Sequence, residues 1–216
     1  MRKLNARHIP ALESMSDEAL FEALCNETEK HLVACVNWNE YPYCPQVEFH
    51  MAYSDTSLAI LYKVKEDHVL GTVLEENGPV WEDSCVETFI GNPVGEGYYN
   101  VEITCIGTKL AAKRQSRTEF QHFCPEKMAK IRCFSSLPHE AVNVEKEGQE
   151  WWIVEVIPFE LLGLEKAPES LRMNFYKCGD NCRNVHFLSW SEIGHPTPNF
   201  HCPEFFGEVV LAGDAQ

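Results

Sequence analysis

An all-β fold, an antiparallel β-sandwich carrying a short N-terminal helix, is predicted by three features of this 216-residue chain. Short segments alternate apolar and polar residues at the two-residue period of a half-buried strand. Turns rich in Gly, Pro and Asn separate them. Nowhere do strands alternate with long amphipathic helices, as a parallel sheet built from βαβ units requires. Apolar residues make up 44% of the chain, enough for a substantial core.

The helix is expected over residues 16–25. Ser16 is its N-cap, Asp17 and Glu18 complement the helix dipole, and Leu20, Phe21 and Leu24 form its apolar stripe. The Pro-rich link 41–45 excludes regular structure. Strands follow at 47–53, 58–64, 81–90 and 98–106, with the turn 91–97 between the last two, and a weaker candidate at 131–137. Residues 140–150 are polar and end in a turn. A strand at 151–157 runs into one helical turn at 158–163, with Pro at its start and Gly at its end. Strands at 171–177 and 205–211 complete the chain. The domain reading is an N-terminal helical extension, 1–36, packed on a sandwich, 37–213.

A net charge of −15 argues against nucleic acid, whose binding draws on clustered Lys and Arg, and against an anionic membrane surface. No segment approaches the roughly 18 apolar residues that a membrane span needs. The N-terminus has no apolar stretch of the kind that directs secretion. The expectation is therefore a cytoplasmic protein as written, or a secreted or periplasmic one if a leader was removed. The ten cysteines include no Cys-x-x-Cys pair, and Cys85, Cys105 and Cys133 sit in apolar strand patterns. Free thiols are expected, behaving as small buried hydrophobes.

The candidate site centres on residues 80–90. On a regular strand from Trp81, alternation places Trp81, Asp83, Cys85 and Glu87 on one face. An indole beside carboxylates suits a polyhydroxylated ring: the apolar sugar face stacks on the aromatic, and the acids accept hydroxyl hydrogen bonds. The same alternation pairs Asn100 with Glu102, and Asn174 with Tyr176. Asp83 and Glu87 stand about 13 Å apart on such a strand, too far for a glycosidase pair, although Glu102 on a neighbouring strand could partner Glu87. Cys178, Cys182 and His186 lack a second ligand pair at zinc spacing and read as a Gly-Asp-Asn turn. No nucleophile elbow and no phosphate-cradling glycine loop is present.

Several stretches resemble the carbohydrate-binding family 9-like proteins of Bacteroides type, related to the DOMON group of β-sandwiches. They are Asn37-Trp38 with its Pro-rich link, residues 80–87, Tyr98-Tyr-Asn-Val-Glu102, Cys105-Ile-Gly-Thr108, residues 174–180, Leu188-Ser-Trp190 and residues 200–207. They span nearly the whole chain in order. The resemblance implies a non-catalytic module gripping a mono- or oligosaccharide between two tryptophans, with charged and amide groups on the hydroxyls. The family's Trp-x5-Glu spacing matches Trp81 and Glu87. The second indole maps to Trp190, the amide to Asn174, and the arginine to Arg114 or Arg117, between which spacing does not choose. No cofactor is required, although the fold can carry structural calcium. The competing readings are an interaction or scaffold sandwich without a sugar site, and a glycoside hydrolase using Glu87 or Glu102.

Overall fold

A computed structural model describes residues 2–211; the last two residues of the 37–213 span lie outside the described residues. The strands are β1 (Lys3–Asn5), β2 (Arg7–His8), β3 (Lys30–Leu32), β4 (Cys35–Val36), β5 (Gln46–Tyr53), β6 (Ser57–Gly71), β7 (Cys85–Gly91) and β8 (Tyr98–Thr104). They continue with β9 (Lys109–Arg114), β10 (Phe120–His122), β11 (Arg132–Ser135), β12 (Val142–Pro158), β13 (Ser170–Cys178), β14 (Phe187–Ser189) and β15 (Gly207–Val210). Helix α1 (Asp17–Glu27) has Ser16 as its N-cap, accepting from the Ala19 amide at 3.2 Å.

Two sheets face each other. One runs β1-β15-β13-β7-β8-β9-β10, with β14 and β4 attached beside β13; the other runs β11-β12-β6-β5-β2, with β3 on β5. Pairing is antiparallel except where β1 joins β15 and β2 joins β5. The segment before residue 37 thus adds strands to both sheets, while α1 packs Leu20, Ala23 and Leu24 on the outer face of the second sheet against Ala59, Leu61 and Val154.

Alternation sorts the first sheet's side chains. Val86 and Ile90 on β7, Val101 and Ile103 on β8, and Met173 and Phe175 on β13 point into the core between the sheets, where Phe49, Tyr62 and Trp151 meet them. Cys85 and Phe89, Tyr98, and Tyr176 and Cys178 lie on the opposite, outer face. That outer face carries the candidate site.

Two strand expectations change. The 81–90 strand begins only at Cys85, because Val80–Glu82 forms a 3-10 turn after Pro79. The Asp83 carboxylate accepts the Thr72 and Val73 amides at 2.7 and 2.8 Å, and the Thr72 hydroxyl, so the chain bends where regular alternation was assumed. The polar 140–150 segment is not a loop. It is the first half of β12, paired with the end of β6 across a register shift near Gly148 at φ +71°. Solvent-facing polar residues concealed that strand.

Two polar groups are sealed between the sheets. Lys177 lies 2.9 Å from Glu66, both fully buried, and Trp151 donates to Glu66 at 2.7 Å. His186 Nδ1 faces the Asn184 carbonyl at 2.7 Å and therefore carries the proton, so Nε2 accepts from Lys177 at 2.8 Å. Burial opposes the lysine charge, but the Glu66 carboxylate outweighs it and holds the Lys177 pKa above its ordinary value.

The second is Glu155, which accepts from the Thr88 hydroxyl and is pushed up to about 8 by burial. The folded state therefore holds this proton more tightly than the unfolded chain. The associated stability is complete below pH 4.5 and is lost as pH rises towards and through 8. The buried histidines, lowered by burial, act only below their unfolded value of 6.5. Between pH 6.5 and 8, Glu155→Gln is expected to remove about 1 kcal/mol per pH unit from the decline in stability. Urea unfolding at both pH values checks this; parallel slopes for the two proteins would mean that Glu155 titrates normally.

Candidate functional site

Strand register assembles the floor. Glu87 on β7 stands directly opposite Glu102 on β8 and Tyr176 on β13, giving a row of outward side chains across three strands. Asn100 and Asn174 flank Phe89 in the next row, and Tyr98 pairs with Arg114 of β9 in the one beyond. Over this floor lies a cavity of about 290 Å³. Trp81, 40% exposed, stands at its rim, and Phe187 comes in from the start of β14, with Phe200 and His201 from the loop before β15.

The polar groups form a chain. Arg114 Nε donates to Asn100 Oδ1 at 2.7 Å, and Asn100 Nδ2 donates to Glu102 Oε1 at 2.6 Å. The guanidinium lies 4.3 Å from the Phe120 ring centre and donates to the Arg117 carbonyl at 3.0 Å, so its plane is fixed. Glu102 Oε2 is buried and has no hydrogen-bond partner among the described residues. An orphaned buried acceptor on a cavity floor is costly unless something donates to it.

Charge is crowded here. Burial pushes Glu102 up to about 7, opposed by Asn100 and Arg114. Glu87 is raised well above the carboxylate range, first by burial and then by Glu102. Asp180 is pushed up to about 6 by burial and by Glu82. The glutamate pair therefore retains protons that exposed carboxylates would lose, and presents O–H donors as well as acceptors at neutral pH. His201 is lowered to about 3 by burial and the two arginines, and its Nδ1 pairs with the Tyr98 hydroxyl at 2.9 Å.

The expected site residues fall into three groups. Trp81, Glu87, Glu102, Arg114 and Arg117 line the cavity, so both candidate arginines reach it. Asn100 and Tyr176 lie beneath: Asn100 links Arg114 to Glu102, while Tyr176 stacks on Phe200 at 4.2 Å and donates to its carbonyl. Asp83, Asn174 and Trp190 do not line it. Asp83 holds the turn that presents Trp81, and Asn174 exchanges hydrogen bonds with the Ser191 backbone.

Trp190 is the clearest displacement. It is 3% exposed, packs edge-on against Phe49 and Phe175, and lies in the core between the sheets. The aromatic wall across from the floor comes instead from Phe187 and Phe200. Trp190→Ala is expected to cost about 3–5 kcal/mol of stability in urea unfolding. Ligand affinity of the folded variant should stay within a factor of about three. A selective loss of affinity without destabilisation would return Trp190 to the site.

Residues missed in the sequence reading are Phe120, His122, Phe187, Phe200 and His201. Phe200 and His201 lie in the aromatic and Pro-rich stretch 195–207, the one signal among them; Phe120, His122 and Phe187 had none. Trp38 secures that stretch by donating to the His195 carbonyl at 2.8 Å, and Asn37 accepts the Ile193 amide at 2.9 Å.

Among the described residues, one group of three metal-ligating side chains occurs: Cys85, Glu87 and Cys178. Cys182 lies apart, beside Ser84, and His186 belongs to the Lys177 network. Two sulfurs do not suit calcium, which takes oxygen ligands. All ten cysteines are free thiols, and no helix among the described residues is long and apolar enough to cross a membrane.

A two-sheet β-sandwich with an aromatic-walled, hydrogen-bond-rich cavity on one outer face has the form of a small-ligand-binding domain. The sequence profile of carbohydrate-binding family 9 matches residues 17–211, and the chain belongs to that family. The match includes helix α1, on the far side of the expected 36/37 boundary. A solved structure from Bacteroides uniformis, described as a candidate carbohydrate-binding protein, is similar at 34% identity over 97% of this chain and 99% of that one, with a TM-score of 0.92. Two structures of a family 9 module from Caldicellulosiruptor kristjanssonii share the fold. One, in complex with glucose, is 15% identical over 100% of this chain and 98% of that one, with a TM-score of 0.58. The other, in complex with cellotriose, is 12% identical over 100% and 96%, with a TM-score of 0.61. No curated protein matches the chain.

Proposed function

We propose that this protein is a non-catalytic carbohydrate-binding module that holds a sugar ring against Trp81. Its hydroxyls bond to Glu87, Glu102 and Arg114. One observation carries the reading: a solvent-facing indole stands over a floor where Glu102 Oε2 is buried without a partner. A sugar supplies both complements, an apolar ring face for the indole and a hydroxyl donor for the orphaned oxygen. The protonated share of the glutamate pair adds a donor for a ring or hydroxyl oxygen. Membership of family 9 supports the same class of ligand, as do the glucose and cellotriose held by the Caldicellulosiruptor modules.

Calorimetric titration with glucose, cellotriose and a wider panel of mono- and oligosaccharides tests this, with calcium and with chelator. A saturable response at one site per chain is expected. A flat response across the panel in both conditions would sink the sugar reading and favour an interaction sandwich. Aryl glycosides of any sugar that binds should remain uncleaved.

A further inference from the structure

We infer that Cys85, Cys178 and Glu87 form a site for a borderline-soft divalent cation such as zinc, set into the floor of the cavity with its fourth position open to it. The site shares Glu87 with the proposed sugar contact, but neither reading is a premise of the other.

The geometry comes from strand register. Cys85 and Cys178 are direct partners across β7 and β13, and Glu87 follows two residues along β7 on the same outer face. The two Sγ atoms and a carboxylate oxygen of Glu87 all lie within 4.8 Å of one another. Cys178 already donates its thiol hydrogen to Glu87 Oε1 at 3.0 Å. A tetrahedral zinc with bonds of about 2.3 Å to sulfur and about 2.0–2.2 Å to oxygen needs its ligand atoms roughly 3.3–3.8 Å apart. Contraction by about 1 Å is within reach of side-chain rotation on two adjacent strands.

Three rigid-strand side chains converge without a metal-ligating fourth, which is the pattern of a cation site with one open coordination position. Cys178 and Glu87 both line the cavity, so the open position and the entry route coincide. Two sulfurs and one oxygen exclude magnesium and calcium and select zinc, cobalt or cadmium. On binding, the cation replaces the thiol protons, and the carboxyl proton where present; these leave to solvent through the cavity. Two thiolates, one carboxylate and a divalent cation leave one net negative charge. Arg114 acts on Glu87 with the opposite sign.

Cobalt(II) provides the direct test on the full chain, kept reduced with a phosphine. Titration is expected to give one cobalt per chain, with a sulfur-to-cobalt charge-transfer band and the visible bands of tetrahedral cobalt, both erased by added zinc. Cys85→Ser and Cys178→Ser should each lose at least tenfold in affinity and about half the charge-transfer intensity. Cys44→Ser and Cys124→Ser, which remove exposed thiols, should change neither. Glu87→Gln keeps both thiols and guards against misfolding of the cysteine variants; it should retain the charge-transfer band with affinity lowered at least tenfold. Absence of the band in the reduced wild-type protein would overturn the site. So would a band of undiminished intensity and affinity in Cys85→Ser or Cys178→Ser, or unchanged affinity in Glu87→Gln. Because no sugar enters the measurement, failure here leaves the sugar titrations untouched.

Discussion

Trp81→Ala is expected to weaken sugar binding by about 2–4 kcal/mol, roughly 30- to 1,000-fold, the range of an aromatic anchor at the centre of a contact. For a module of modest affinity that amounts to loss of binding. Stability should change by less than about 0.5 kcal/mol, because the side chain is 40% exposed and its turn is held by other means. Those means are the Asp83 carboxylate and the Trp81 carbonyl, which accepts the Asp180 amide at 3.2 Å. Calorimetry on the folded variant separates the two effects. The wild-type fluorescence response should vanish with the substitution, since Trp38, Trp151 and Trp190 are buried at 2–4% exposure and the half-buried Trp152 packs on Phe21 at the outer face of the other sheet. Unchanged affinity would remove Trp81 from the contact and leave the floor to bind by hydrogen bonds alone.

Lys177→Met should cost about 3–5 kcal/mol of unfolding free energy, the usual consequence of leaving one member of a buried ion pair without its partner. For a chain of this size that corresponds to roughly 6–20 °C in Tm. Glu66 would keep only its hydrogen bond from Trp151, in a space sealed from water. The double variant Glu66→Gln with Lys177→Met should recover most of the loss, because the amide retains the Trp151 bond and carries no charge. Chemical denaturation of the three proteins decides the matter. A single-variant cost below about 1 kcal/mol would mean that water reaches the pair.

Much of the sandwich is legible because strand alternation is a local property. Val101 and Ile103 against Asn100 and Glu102 predict which side of β8 is core, and the structure has the apolar pair between the sheets. Ser16, followed by two acids and an apolar stripe, predicts the helix start, and the cap bond is present. Polar strands are less visible: the first half of β12 buries little and reads as a loop. Trp81 illustrates the converse. Its neighbours read as strand, but the Asp83 carboxylate bonds amides ten and eleven positions back in sequence, and a side-chain bond over that distance leaves no periodic trace.

The sequence by itself determined the class of fold, the inward and outward faces of each strand, and a concentration of Trp81, Glu87 and Glu102 near one another along the chain. These depend on neighbouring residues and on a period of two. Tertiary structure decided the rest. Register between strands set Glu87 against Glu102 and Cys85 against Cys178, a one-residue slip of which would send each to the other face. Long-range packing took Trp190 into the core and brought Phe187, Phe200 and His201 over the floor. It also brought both Arg114 and Arg117 to the cavity, a choice that spacing along the chain left open because the fold, not the interval, sets where β9 ends.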